Sequence, residues 1–289
     1  MRSLRLASLI FLTAVGGWWV FKPASPYVAE PISTVEMHCF AETQPVPYSF
    51  CINRVRGSQN RDVVFHFHGR NGDATWWNDS PSYSGEVVRR WAQTQQQAPI
   101  VVSISFGALW LLDDSLMAVF EHEVMPRVER ELGEKPTRLM AVGESMGGLN
   151  ALLAALKMPN RFSKVASLCA PLATVSPFAA LADIAQFVFS SSTSMKRAVM
   201  MMVFSRKFYP SEAHWLANHP MPLSQRETPR SGTAFYVTCG AKDEWGCTGA
   251  SEQLVTTLRA RGATVDWVPR PGGHCDIETD SLADALVAP

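Results

Sequence analysis

The segment Ala141-Val142-Gly143-Glu144-Ser145-Met146-Gly147-Gly148 decides how this chain is read. It continues the apolar run 138–142, expected as a strand, and opens residues 146–157, whose apolar spacing is helical. Glycines two residues either side of a serine suit a strand-to-helix turn so tight that side chains there would strike neighbouring backbone. Strand, elbow and helix together point to Ser145 as an exposed nucleophile. The plainer alternative is a glycine-rich turn in which Ser145 only caps the helix.

Working outward, short β-branched or apolar runs alternate with longer helical ones between residues 63 and 286. This pattern argues for βαβ units around a mostly parallel sheet. Strands are expected at residues 63–68, 100–105, 138–142, 164–168, 234–239 and 264–268, and helices at 115–132, 146–157, 251–261 and 281–287. In the first helix Leu116, Phe120, Val124, Val128 and Leu132 share one face, Asp113 or Asp114 caps the start, and Pro126 should bend the middle. Residues 171–232 are too many for a plain connection, so they should carry helices of their own and form a cap. Its Phe187, Phe189, Met195, Met200, Met201, Met202, Phe204 and Phe208 form either a satellite core or the lining of an acyl pocket.

An unassisted serine hydroxyl is a poor nucleophile, so a base must take its proton and an acid must orient that base. On such an elbow the partners follow in chain order, acid and then histidine. His274, on the loop Pro271-Gly272-Gly273-His274 beyond the last strand, is the candidate base, whereas His214 and His219 lie inside the insertion. Asp243, a short loop past strand 234–239, is the candidate acid, with Glu244 a near rival and Asp276 a distant one. The oxyanion of an acyl-transfer intermediate needs preset donors. One is the backbone N–H of Met146, and the other comes from the loop His68-Gly69-Arg70-Asn71-Gly72, with Arg70 preferred over Asn71. His68 reads as structural. His122-Glu123 lacks a second histidine at position 126, where Pro126 stands, so no metal is implied. Trp76, Trp77, Trp110 and Trp245 all follow strand ends and either pack or frame a ring or sugar of the substrate.

Charge and cysteine content set the surroundings. The 289 residues carry 26 basic and 26 acidic side chains, and beyond residue 30 the balance is 23 to 25. So neutral a body offers no broad footprint for nucleic acid, and none is expected as a partner. Residues 1–30 read as a leader: Arg2 and Arg5 precede an apolar run, 6–21, closed by Trp18, Trp19 and Lys22. A cleaved signal peptide and an uncleaved membrane anchor fit equally, and a buried core helix is the bland alternative. Six cysteines fit export to an oxidising compartment. Cys39 and Cys51 flank an expected hairpin, a Cys247–Cys275 bond would tie two late loops together, and Cys169 and Cys239 read as buried thiols.

Taken together, His68-Gly69-Arg70-Asn71-Gly72-Asp73 with Trp76, Gly143-Glu144-Ser145-Met146-Gly147-Gly148, Gly240 with Asp243, and Gly272-Gly273-His274 resemble the α/β-hydrolase superfamily, and within it the esterase D and feruloyl-esterase-like branch. The resemblance implies an α/β-hydrolase domain over residues 31–289, with a helical cap at 171–232. It implies a cofactor-free serine hydrolase of carboxylic esters working through an acyl-enzyme, on a small-molecule or saccharide-linked ester. An acyltransferase with the same triad and a non-catalytic, membrane-tethered module are the alternatives.

Overall fold

A computed structural model describes residues 30–191, 194–226 and 232–288. The leader reading therefore falls outside the described residues. Eight strands form one sheet in the order β1-β2-β4-β3-β5-β6-β7-β8. The hairpin β1 (Val35–Glu42) and β2 (Tyr48–Val55) is antiparallel, and β2 also runs antiparallel to β4 (Ile100–Ser105). From β4 onward β3 (Val63–Phe67), β5 (Leu139–Glu144), β6 (Lys164–Leu168), β7 (Ala234–Gly240) and β8 (Thr264–Arg270) are parallel. β3 and β4 are buried along their whole length, and β5 and β6 everywhere but their first residue. That is why they read as continuous apolar runs rather than alternating ones.

Helices cover both faces. On one face α1 (Tyr83–Gln93) packs against α10 (Thr279–Val287), fastened by the Trp91 indole N–H donating to Ala283 O at 3.0 Å. On the other lie α2 (Asp114–Val119), α3 (Met125–Leu132), α4 (Met146–Lys157) and α9 (Thr248–Ala260). The run 115–132 is helical throughout but not uniformly α-helical. A π-helical turn at Phe120–Val124 joins α2 to α3 and puts Pro126 in the first turn of α3, where its missing N–H is not needed. Asp113 caps α2, its carboxylate accepting from the N–H groups of Ser115 and Leu116.

Between β6 and β7 the chain forms α5 (Leu181–Ser191), α6 (Met195–Phe208), α7 (Glu212–Asn218) and α8 (Pro220–Arg226). Tyr209, Trp215, Met221 and Leu223 belong to the main core, whereas Phe187, Val188, Ala198, Met201 and Met202 form a smaller cluster with Cys239 and Cys247. The satellite-core reading therefore holds for Phe187, Met201 and Met202, whereas Phe189 and Met195 are exposed. Among the described residues no helix is long and apolar enough to cross a membrane.

The cysteine expectations need correction. Cys39–Cys51 does bridge the first hairpin and Cys239 is a buried free thiol as expected, but Cys275 pairs with Cys169 rather than with Cys247, which is itself a buried free thiol. Cys247 faces the insertion, its sulfur 3.9 Å from Met201 Sδ, while the loop after β8 folds back over the end of β6, where Cys169 lies.

The elbow is closely packed. A Cβ on Gly147 would lie 1.7 Å from the carbonyl oxygen of Phe67, the last residue of β3, and neither backbone has room to retreat. Gly147→Ala is therefore expected to cost about 3 kcal/mol. Gly249→Ala, in the first turn of α9 with open space around it, should be neutral or stabilising by up to about 1 kcal/mol. Urea midpoints of the two variants check the contrast.

Candidate active site

Ser145 sits where β5 passes into α4, at φ 53° and ψ −118°, a conformation that non-glycine residues rarely adopt. Its N–H donates to Leu168 O on the neighbouring strand at 2.8 Å, which pins the turn. Met146 opens α4, and its N–H, one of the unpaired donors of a helix start, has no acceptor among the described residues.

Two distant loops meet this serine. His274, on the loop after β8, brings Nε2 to 2.9 Å from Ser145 Oγ and Nδ1 to 2.7 Å from Asp243 Oδ2. Asp243 is 2% exposed and lies just beyond β7. Its second oxygen accepts from the Trp245 N–H at 2.8 Å, so the carboxylate is fixed from both sides. The three side chains read from the sequence are thus one hydrogen-bonded relay across the carboxyl ends of three strands. Cys239 Sγ lies 3.7 Å from Asp243 Oδ2, and burial, with the aspartate charge adding to it, pushes its thiol up to about 12.

The rival residues do other things. Glu244 points outward, accepting from the His274 backbone N–H at 3.1 Å and pairing with Arg197 at 3.6 Å. Backbone N–H groups hold its carboxyl below the ordinary range. Asp276 accepts from the Gly272 N–H at 2.8 Å, within its own loop. His214 lies 3.4 Å from Asp113. His219 stacks on Trp215 with ring centres 4.9 Å apart, and complete burial pushes its imidazole down to about 3.

The loop after β3 faces the elbow. Asn71 N–H is taken by Ala108 O at 2.8 Å, whereas Arg70 N–H has no acceptor among the described residues. His68 is buried beneath. Its Nδ1–H donates to Gly69 O at 2.7 Å, and Nε2 accepts from Ser105 Oγ at 2.9 Å and the Trp110 indole N–H at 3.3 Å. Loss of hydration lowers its basicity and keeps it neutral, in line with a structural role.

Glu144, inside the elbow motif, was not singled out from sequence, where it is only the variable residue before the serine. Its buried carboxylate accepts from the Gly69 N–H at 2.5 Å and the Tyr83 hydroxyl at 2.8 Å, and meets His66 Nε2 at 3.1 Å. His66 Nδ1 is 2.8 Å from Ser103 Oγ. An N–H on Nε2 donates to the glutamate oxygen. Burial, with the glutamate charge adding to it, raises the Tyr83 hydroxyl well above its ordinary range, so it stays a donor. One carboxylate thus fastens the elbow to the loop that carries Arg70.

A cavity of about 490 Å³ opens over Ser145 and His274. Leu109, Leu149, Met201, Phe204 and Phe208 supply much of its apolar wall, and the Arg70 guanidinium lies 5.2 Å above the Phe204 ring. Of the four tryptophans, Trp76 and Trp245 line it. Trp77 is buried in the core and Trp110 packs on His68.

The model of a family described as "Putative esterase" matches residues 114–273, more than half of the chain. The chain belongs to this esterase family. It is a carboxylic ester hydrolase of the serine type. Known structures share its α/β-hydrolase fold. A ferulic acid esterase aligns with 88% of this chain and 95% of its own at 15% identity, with a TM-score of 0.62. A hyperthermophilic esterase from the archaeon Pyrobaculum calidifontis aligns over 90% and 88% at 15% identity and a TM-score of 0.63. An S-formylglutathione hydrolase from Agrobacterium tumefaciens aligns over 89% and 95%, also at 15% identity, with a TM-score of 0.59. No curated protein matches the sequence.

In this esterase, Glu144→Gln would turn an amide N–H₂ toward one of the donors that now faces a carboxylate oxygen. The variant should lose about 1–3 kcal/mol of unfolding free energy, as expected for a buried donor left without an acceptor. Chemical denaturation followed by tryptophan fluorescence measures it.

Proposed function

We propose that the enzyme cleaves carboxylic esters through an acyl-enzyme formed on Ser145. His274 Nε2 takes the hydroxyl proton as Oγ attacks the ester carbonyl, and Asp243 holds the imidazole in the required tautomer and stabilises the imidazolium. The backbone N–H groups of Met146 and Arg70 receive the oxyanion, each donor in such a hole being worth about 3–4 kcal/mol. His274 then gives its proton to the leaving alcohol. Water enters, is deprotonated by the same nitrogen, and releases the acid. The observation that carries this reading is the unbroken relay from Asp243 through His274 to Ser145, at 2.7 and 2.9 Å. That the N–H groups of Met146 and Arg70 have no acceptor among the described residues supports their share in it.

The substrate is a small-molecule ester with a sizeable apolar portion, in keeping with the aliphatic and aromatic cavity wall. The Cys39–Cys51 and Cys169–Cys275 disulfides fit work in an oxidising, exported environment.

Ser145→Ala and His274→Ala are each expected to lower kcat at least about 10⁴-fold, and Asp243→Asn about 10³- to 10⁴-fold, because the three act as one unit. Initial rates on p-nitrophenyl esters from acetate to palmitate, with feruloyl and acetyl-sugar esters alongside, measure this and identify the acyl group. A folded wild-type protein whose Ser145 resists a serine-directed phosphonate would sink the proposal.

A further inference from the structure

The loop that delivers His274 has little of its own to hold it still. From residue 266 to residue 281 no side chain is fully buried, although Val268, Cys275 and Ile277 pack partly buried against the core. Hydrogen bonds from Lys242 N–H to Gly272 O, at 2.9 Å, and from His274 N–H to Glu244, at 3.1 Å, steady it. The only covalent tie is the bond between Cys275, the next residue after the histidine, and Cys169.

Cys169 is 1% exposed and follows the last residue of β6. Its N–H donates to Thr238 O at 2.8 Å, and the preceding residue, Leu168, supplies the carbonyl that holds the Ser145 N–H. The disulfide therefore spans β7 and joins the loop of the base to the strand end that supports the nucleophile. It also lies beside the imidazole, a ring nitrogen of His274 being within 4.8 Å of both sulfurs.

We propose that the Cys169–Cys275 disulfide is a positioning group for His274, and that its reduction by a small dithiol switches the site off. This rests on the catalytic reading of the relay given above. Cys275 lines the cavity, so its sulfur is the one a thiolate reaches. Attack there forms a mixed disulfide and expels the Cys169 thiolate, which takes up a proton. The second thiol of the reagent then displaces Cys275, which leaves as a protonated thiol, and the reagent departs as its cyclic disulfide. Two electrons and two protons have passed to the cysteine pair. With the tie gone, noncovalent contacts alone hold the loop, the hydrogen bonds from Lys242 N–H, to Glu244 and to Asp243 among them, and the distance from Nε2 to Ser145 Oγ is less tightly fixed.

The test uses the full chain, oxidised or treated with dithiothreitol, together with Cys169→Ala and Cys275→Ala. It measures kcat, KM, the melting temperature, and the second-order rate constant for phosphonate labelling of Ser145. Cys39→Ala/Cys51→Ala, which removes the remote hairpin bond, serves as the control. Reduction, or either single substitution, should lower kcat and the labelling constant about tenfold to hundredfold while KM moves less than about threefold, as expected when reacting groups lose alignment. Reoxidation should restore the wild type, the single variants should ignore the dithiol, and the control should respond as the wild type does. Unfolding of a fraction of the molecules would lower the amplitude of labelling but leave its rate constant. A lower melting temperature with an unchanged labelling constant would therefore make the bond a plain cross-link and overturn the proposal. Oxidised wild type that neither labels nor turns over would overturn the catalytic reading and this proposal with it.

Discussion

Everything in the site hangs on Ser145 being held at φ 53°, ψ −118° where β5 gives way to α4. A backbone so far from the allowed wells costs of order 1–3 kcal/mol and persists only if its surroundings over-determine it. They do so here. Leu168 O takes the serine N–H, and Gly147 sits so close to the Phe67 carbonyl that only a hydrogen fits between them. The strain lifts the hydroxyl clear of the sheet and leaves the first N–H of α4 without an acceptor among the described residues. One local distortion thus provides both the exposed nucleophile and half of the proposed oxyanion site.

The elbow is local, so it could be read from eight residues. The partners could be read too, because a doubly covered parallel sheet ends its strands on one edge, and loops after β7 and β8 must emerge there. For the oxyanion the sequence offers Met146 with Arg70 or Asn71, and the Asn71 N–H is bound to Ala108 O. What stayed hidden was tertiary. α1 has Val87, Val88 and Trp91 on a buried face at helical spacing, a signal present in the sequence but absent from the elements expected of it. Tyr83 matters because it reaches Glu144, sixty-one residues away, a contact that no spacing announces. The partner of Cys275 depends on how its loop folds back over β6. Counting cysteines leaves fifteen arrangements open. In the helix ahead of the elbow, Pro126 signalled a disturbance correctly, but the π-helical turn that accommodates it depends on packing against the sheet.

Two buried carboxylates flank Ser145, and this looks at first unsuited to a site that must stabilise developing negative charge. Asp243 meets His274 Nδ1 at 2.7 Å, so its charge falls mainly on the imidazolium that forms as the oxyanion forms. Glu144 makes no such pair with the base. Its oxygens are occupied by donors from Gly69, Tyr83 and His66, three groups on separate elements. Charge-assisted bonds of this kind are about twice as strong as neutral ones, so the donors disperse much of the charge. What remains is mechanical: the carboxylate fixes Gly69, and with it the direction in which the next N–H, that of Arg70, can point. A neutral side chain at position 144 would remove the unfavourable charge but also release the loop. One oxyanion donor is worth about 3–4 kcal/mol when aligned, and the three donors on the carboxylate disperse the charge that would oppose it. On this balance the carboxylate is better kept, provided every one of its donors stays in place.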